Sequence, residues 1–312
     1  MKTFYAPASM GNFCVGFDAL GAAIQPIDGS LLGDQVSIEA AATDSFSCIG
    51  PYADKLSPQP EDNLAYQCWQ HFKQQVAPTM PAAAMTLHKG LPVGSGLGSS
   101  ACSVVAAFAA LNDFANTQLS REAMIELMAD FEAKVSGGRH YDNITPCYLG
   151  GLQLTADCIA GKALQLDCNA SWYFVIAYPG FALNTAKARA ALASQVSLGD
   201  TIEFAQRLSG FCVLMQSGRF DEALSMMQDT IAEAARAPLI PGFYEAKQAL
   251  ENHVAELVSI SGAGPTLFAL CTSLDSAKQA QTWLQQHYIN EAGFSHICQL
   301  DNKGTRELGE QG

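Results

Sequence analysis

The sequence predicts a globular protein of mixed strands and helices in two domains. Three observations carry that expectation. The 312 residues exceed what one hydrophobic core usually organises. Apolar residues make up 49% of the chain and charged residues 15%, which suits a packed interior and not a disordered chain. The texture of the sequence also changes near residues 152–170, which sets the domains at 1–155 and 156–312.

Taken in order, residues 3–50 alternate short apolar runs with turn residues, as in Gln35 to Ala41 after Leu32-Gly33-Asp34, and predict hairpins or a meander. Asp62 and Asn63 are caps for a helix running to about Val76, which Pro78 and Pro81 end. Ala83 to His88 reads as a strand leading into a glycine loop, and Ser99 or Ser100 as the N-cap of a buried helix to Phe114. Ser120 caps the next helix, which runs to about Lys134 with Met124, Leu127, Met128 and Phe131 on one face. A polar loop from Val135 to Cys147 follows. Strands are expected at 152–156, 163–166 and 172–178, then helices at about 200–217, 219–235 and 242–254. Leu257–Ile260 and Leu267–Cys271 are further strands around Ser261 to Thr266, followed by a helix at 275–288 and a strand at 294–300. Gly304 to Gly312 reads as a loose tail.

Several function classes are excluded. A net charge of -13 without a basic run argues against a nucleic-acid surface. No apolar stretch reaches membrane-spanning length, and Met1 to Pro7 lacks the apolar core of a signal peptide, so a soluble cytoplasmic protein is expected. The ten cysteines are scattered without a CxxC pair and read as buried thiols in a reducing compartment. The six histidines form no metal-binding cluster.

The chemistry centres on Leu91-Pro92-Val93-Gly94-Ser95-Gly96-Leu97-Gly98-Ser99-Ser100-Ala101-Cys102. A glycine loop that opens a helix sets backbone N–H groups and the positive dipole end where a phosphate can sit. It is neither a Walker A motif, because no lysine follows its glycines at the required place, nor a G-x-G-x-x-G dinucleotide loop. Ser99 or Ser100 is available to Mg²⁺, which takes hard oxygen ligands and only one or two of them from protein.

Three segments in this order resemble the signatures of the GHMP kinase superfamily: Pro7-Ala8-Ser9 with Asn12 and Gly16-Phe17-Asp18-Ala19-Leu20-Gly21, then Pro92 to Ala101, then Ser261-Gly262-Ala263-Gly264-Pro265-Thr266. Within the superfamily, four segments are similar to homoserine kinases: Gly16-Phe17-Asp18, His140-Tyr141-Asp142-Asn143-Ile144-Thr145-Pro146, Thr185-Ala186-Lys187-Ala188-Arg189, and Arg236-Ala237-Pro238-Leu239-Ile240-Pro241-Gly242. The chain departs from the family pattern at Met10-Gly11, Phe13-Cys14-Val15 and Glu233-Ala234-Ala235.

The resemblance implies an α+β fold of two domains, an N-terminal ATP-binding domain and a ferredoxin-like C-terminal domain. It also implies ATP- and Mg²⁺-dependent phosphorylation of the side-chain hydroxyl of L-homoserine on the route to threonine. Residues Pro92, Val93, Gly94, Ser95, Gly96, Leu97, Gly98, Ser99, Ser100, Ala101 and Cys102 would hold the nucleotide, and Ser100 (or Ser99) with Glu132 the metal. Asp18 would meet the α-ammonium and Arg189 and Arg236 the α-carboxylate, because a guanidinium fork matches a carboxylate bidentately. Asn12, Asn143 and Gly262 complete the substrate set. Asp142 and Asn143 are the catalytic candidates, with Asp142 as base or with no protein base. Other GHMP kinases acting on mevalonate, phosphomevalonate or a sugar, and a non-catalytic sensor on the same fold, are the alternatives. A homodimer fits the family's habit.

Overall fold

The computed structural model describes residues 1–136 and 138–309. Two sheets carry the fold. The first has five strands, in the order Arg306–Leu308, Lys2–Pro7, Gly33–Ala40, Ala83–His88 and Ser45–Ile49. Its pairs are antiparallel except the last, where Ser45–Ile49 runs parallel to Ala83–His88. Helix Ser99–Phe114 packs against this sheet, and helix Leu64–Gln75 packs on that helix, with its Tyr66 ring against Phe46 of the edge strand. Helix Ser99–Phe114 is buried over most of its length, from Ala101 to Leu111, as its run of Ala, Val and Phe requires.

The second sheet contains the C-terminal β-α-β-β-α-β unit. Its strands Tyr173–Tyr178, Leu257–Ile260, Leu267–Cys271 and Phe294–Leu300 are all antiparallel, in the spatial order second, third, first, fourth. That is the ferredoxin-like arrangement. The sheet continues from Phe294–Leu300 into Leu20–Pro26, Leu152–Thr155 and Ala163–Leu166. The two sheets therefore exchange strands. Leu20–Pro26 from the early chain joins the second sheet, and Arg306–Leu308 from the end of the chain joins the first.

That last strand corrects the expectation of a loose tail. Residues 306–308 pair with Thr3–Tyr5, and the Arg306 guanidinium donates to Asp301 Oδ2 at 2.8 Å and lies over the Tyr5 ring. Glu310 to Gly312 lie outside the described residues. Two other elements differ from expectation. The single helix expected at 219–235 is two short ones, Phe220–Leu224 and Glu233–Arg236. Asp229 Oδ1 accepts the N–H groups of Ile231 and Ala232 at 2.8 and 2.7 Å, a local turn that competes with the helical ladder. Within the segment expected as a loop to Cys147, Ile144–Leu149 is helical; Gly137 lies outside the described residues.

Candidate active site

The site forms where the three glycine-bearing segments meet. The loop at 91–98 reaches helix Ser99–Phe114 with φ of 68°, 83° and 65° at Gly94, Gly96 and Gly98. Gly98 is itself the N-cap, so Ser99 and Ser100 are the first helical residues and not the cap expected from the sequence. A side chain at Gly98 would be strained by its left-handed backbone, and its Cβ would lie 2.1 Å from Ser9 Oγ.

The loop's carbonyls are occupied by neighbours. Leu183 N–H donates to Gly94 O, Thr266 N–H to Ser95 O, Ser261 Oγ to Gly96 O and Ser9 N–H to Leu97 O, at 2.7–3.1 Å. The first N–H groups of a helix have no intrahelical acceptor, and here they belong to Ser99, Ser100 and Ala101. Cys102 stands apart from that set. Its N–H closes the first helical turn on Gly98 O, and its thiol donates to Pro7 O at 3.1 Å in the core.

Ser100 Oγ donates to Glu132 Oε2 at 2.9 Å, whereas the Ser99 hydroxyl donates to Leu91 O at 3.3 Å. Of the two serines the fold thus brings Ser100 to the acidic group. Burial raises the Glu132 carboxyl above its ordinary value, and the Ser100 hydrogen bond works in the opposite direction.

The first segment is strained. Asn12, Phe13 and Cys14 all adopt positive φ, at 67°, 42° and 61°, and the last two are among the residues where the sequence departs from the family pattern. Packing holds it: Phe13 is buried and stacks on Phe268 at 6.2 Å, with Phe174 and Phe211 nearby. The turn aims Asn12 into the site. Its Oδ1 accepts Asp18 N–H at 3.0 Å and its Nδ2 donates to Gly262 O at 3.0 Å.

Gly262 O also accepts Arg236 at 2.8 Å. Asp18 accepts two hydrogen bonds from Arg189, at 2.7 and 3.1 Å, and Arg189 also donates to His140 Nε2 at 2.9 Å. Both guanidiniums lie over the Phe17 ring, 5.4 and 5.3 Å from its centre, within cation–π range. Burial, and then the charge of Arg189, push Arg236 below its ordinary value. Burial lowers His140, Asp18 draws it back up and Arg189 adds to the lowering.

Asp142 lies behind this cluster. Strand residue Gly21 makes room for it, since a Cβ there would fall 1.6 Å from the Asp142 carbonyl oxygen. Asn143 Nδ2 donates to Asp142 Oδ2 at 3.2 Å, and Ser9 Oγ donates to Asn143 Oδ1 at 2.9 Å. Three aspartates are buried among the described residues: Asp34, Asp142 and Asp301. Asp34 pairs with Lys89 and Asp301 with Arg306, while Asp142 forms no ion pair among the described residues. Burial, with the charge of Asp18 adding to it, pushes its carboxyl up to about 7.

Asn12, Asp18, Asp142, Asn143, Arg189, Arg236 and Gly262 are thus assembled from distant parts of the chain, and the Ser100–Glu132 pair sits at the helix start. Ser9, Phe17 and His140 stand in the segments that carry the resemblance, but the sequence points to no site role for them. The signals were present, since Phe17 adjoins Asp18 and His140 lies two residues before Asp142, but an aromatic floor and a histidine between charges become visible only in three dimensions.

Comparison with known proteins agrees with this geometry. The family model described as GHMP kinases N terminal domain matches residues 63–151, and that described as GHMP kinases C terminal matches residues 211–290. The solved structure of homoserine kinase from Cytophaga hutchinsonii superposes with a TM-score of 0.88 at 27% identity, over 98% of this chain and 97% of that one. A putative homoserine kinase from Listeria monocytogenes gives 0.73 at 19% identity, over 99% and 100%. The mevalonate kinase of Methanococcus jannaschii gives 0.67 at 15%, over 96% and 98%; these last two likenesses speak for the fold alone. The two family matches together take in more than half of the chain and fall on both of its halves, and on that ground the chain belongs to the GHMP kinase family.

Proposed function

We propose that this protein transfers the γ-phosphoryl group of ATP to the side-chain hydroxyl of L-homoserine, forming O-phospho-L-homoserine and ADP on the route to threonine. The observation that carries the reading is the set of opposite charges around Phe17. Asp18, paired in this structure with Arg189, and Arg236 beside them suit an α-ammonium and an α-carboxylate. Mevalonate and sugars carry no ammonium for Asp18. The 27% identity with the Cytophaga homoserine kinase across nearly the whole chain supports the same choice.

In this reading the N–H groups from Gly96 to Ala101 cradle the β- and γ-phosphates. Asn12 and Asn143 orient the acceptor hydroxyl. Its oxygen bonds to the γ-phosphorus as the bond from that phosphorus to the bridging oxygen of ADP breaks. Asp142 takes the hydroxyl proton, a role suited to a carboxyl that titrates near neutrality. Phosphoryl transfer is mainly positioning and charge stabilisation, so the fixed loop and the paired side chains matter more than any covalent step.

Mg²⁺ suits the donors at the helix start, because Ser100 and Glu132 offer two hard oxygens 2.9 Å apart. When bound there it supplies neutralising charge to the phosphates. We assign the reaction to the cytoplasm, in keeping with ten free cysteines. No helix among the described residues is long and apolar enough to cross a membrane.

The test is ADP release with homoserine, mevalonate, phosphomevalonate and galactose, each with and without Mg²⁺. Turnover is expected with homoserine and Mg²⁺ only; no turnover with homoserine would reject the assignment.

A further inference from the structure

Lys89 and Asp34 form an ion pair inside the first domain, with side-chain exposures of 3% and 0%. Neither touches the residues assigned to homoserine or the Ser100–Glu132 pair. Lys89 Nζ donates to Asp34 Oδ2 at 2.5 Å, to Ser99 O at 2.9 Å and to Ser103 Oγ at 2.9 Å. Ser103 Oγ in turn donates to Asp34 Oδ2 at 2.6 Å. The second oxygen, Asp34 Oδ1, accepts Gly90 N–H at 2.9 Å and Leu91 N–H at 3.1 Å.

One carboxylate therefore holds both ends of the glycine loop. Gly90 and Leu91 form its entry, and Ser99 and Ser103 belong to the first turns of the helix it opens into. A buried ion pair contributes little net stability compared with apolar side chains of the same volume, so stability alone is a weak reason for one here. Because Asp34 neutralises Lys89, the lysine brings no net charge to the phosphates. It brings position.

We infer that the Lys89–Asp34 pair is the positioning device of the phosphate loop, fixing the distance between loop entry and helix start so that the N–H groups of residues 96–101 converge on one anion. The inference rests on the reading of residues 92–102 as the phosphate loop. Lys89 and Asp34 are positioning residues and touch no reacting atom.

The experiment uses the full chain with Lys89→Gln combined with Asp34→Asn, a neutral pair of similar size in which one of the two accepting oxygens of Asp34 becomes a donor and can no longer hold both loop entry and helix start, and Ser103→Ala as a milder second variant. Circular dichroism establishes the fold. Calorimetric titration then compares a non-hydrolysable ATP analogue with adenosine, and steady-state rates give KM for homoserine. The expected result is an affinity for the analogue weakened by at least ~10-fold in the paired variant and ~3-fold in Ser103→Ala, with adenosine affinity and homoserine KM unchanged. Should the paired variant not fold, the Ser103→Ala titration decides alone. A merely structural pair would lower thermal stability and leave the folded protein's analogue affinity as in the wild type, and that result overturns the inference. Gly98→Val separates the two readings. If it loses the analogue while keeping adenosine and the Lys89 and Ser103 variants lose nothing, the positioning role falls and the phosphate loop stands. If Gly98→Val, folded, also binds the analogue normally, the phosphate-loop reading falls and the inference with it.

Discussion

Asp18 and Arg189 meet across the site through two hydrogen bonds, of 2.7 and 3.1 Å, although they come from segments 171 residues apart. The sequence suggests that they would receive opposite ends of a zwitterion, and the structure shows them satisfying each other. In the proposed reading, an amino acid bound between them would exchange one internal ion pair for two external ones. Both side chains are partly open to solvent, at 32% and 41%, so their mutual attraction is screened and breaking it costs little.

Replacing Asp18→Asn should therefore weaken homoserine more than it weakens the fold. A charge-assisted hydrogen bond contributes about 1.5–3 kcal/mol, so homoserine KM is expected to rise by ~10- to 100-fold. KM for ATP should stay within about twofold. Equal changes in both constants would place Asp18 outside the amino-acid site. Steady-state kinetics with each substrate varied in turn makes the measurement.

Asp142 gives a prediction in two variables. With its carboxyl raised to about 7, the ionised form that accepts a proton grows as pH rises through that value, so kcat should show an acid limb near 7. Asp142→Asn should remove that limb and lower kcat by more than ~10²-fold; a smaller loss rejects the role of base. Stability should move the opposite way. A carboxyl whose folded value lies above its unfolded value of 3.8 contributes stability that is present below the unfolded value and is lost as pH rises through the folded one. At pH 8 the buried charge costs on the order of 4 kcal/mol relative to the unfolded chain. Thermal unfolding of Asp142→Asn is thus expected at higher temperature than wild type at pH 8, with the gap closing towards pH 4.

These contrasts show what was legible in the sequence. Strand Ala83–His88 and the helix after the glycine loop follow from local alternation and buried composition, and both stand within two residues of expectation. The break between Leu224 and Glu233 does not, because Asp229 turning on its own backbone looks in sequence like an ordinary helical aspartate. The exchange of strands between the sheets is likewise unreadable locally. Leu20–Pro26 has the same texture whichever sheet it joins, and only the partners of both edges decide. Within the site, residue types were readable but relations were not. Nothing in the linear order shows that Ser9 orients Asn143, or that one phenylalanine lies beneath two arginines.

Glu132 and Ser100 should separate in how they affect the metal requirement. Glu132→Gln removes the charge but keeps an oxygen, and should raise the Mg²⁺ concentration for half-maximal rate by at least ~10-fold. Ser100→Ala removes a neutral donor and should raise it by only ~3-fold. Initial rates against free Mg²⁺ at saturating ATP and homoserine give both values. An unchanged Mg²⁺ curve in Glu132→Gln would move the metal elsewhere.

Gly98 makes the strictest demand on the loop, for two separable reasons. Its φ of 65° disfavours any side chain, at a cost of about 1–2 kcal/mol. Its Cβ position also lies 2.1 Å from Ser9 Oγ, the group that fixes Asn143. Gly98→Ala is therefore expected to lower stability by ~1–3 kcal/mol and to reduce kcat/KM for ATP by at least ~10-fold. Changing Ser9→Gly in the same chain removes the 2.1 Å collision and leaves the strained backbone and a 3.0 Å approach to Asn143 Oδ1. The double variant should recover part of the stability, measured by urea unfolding, without recovering kcat/KM, because Asn143 has lost its hydrogen-bond donor. Full recovery of both would mean that the collision alone matters and that Ser9 has no part in orienting Asn143. No recovery of stability would mean that the collision with Ser9 is no part of the reason for the glycine.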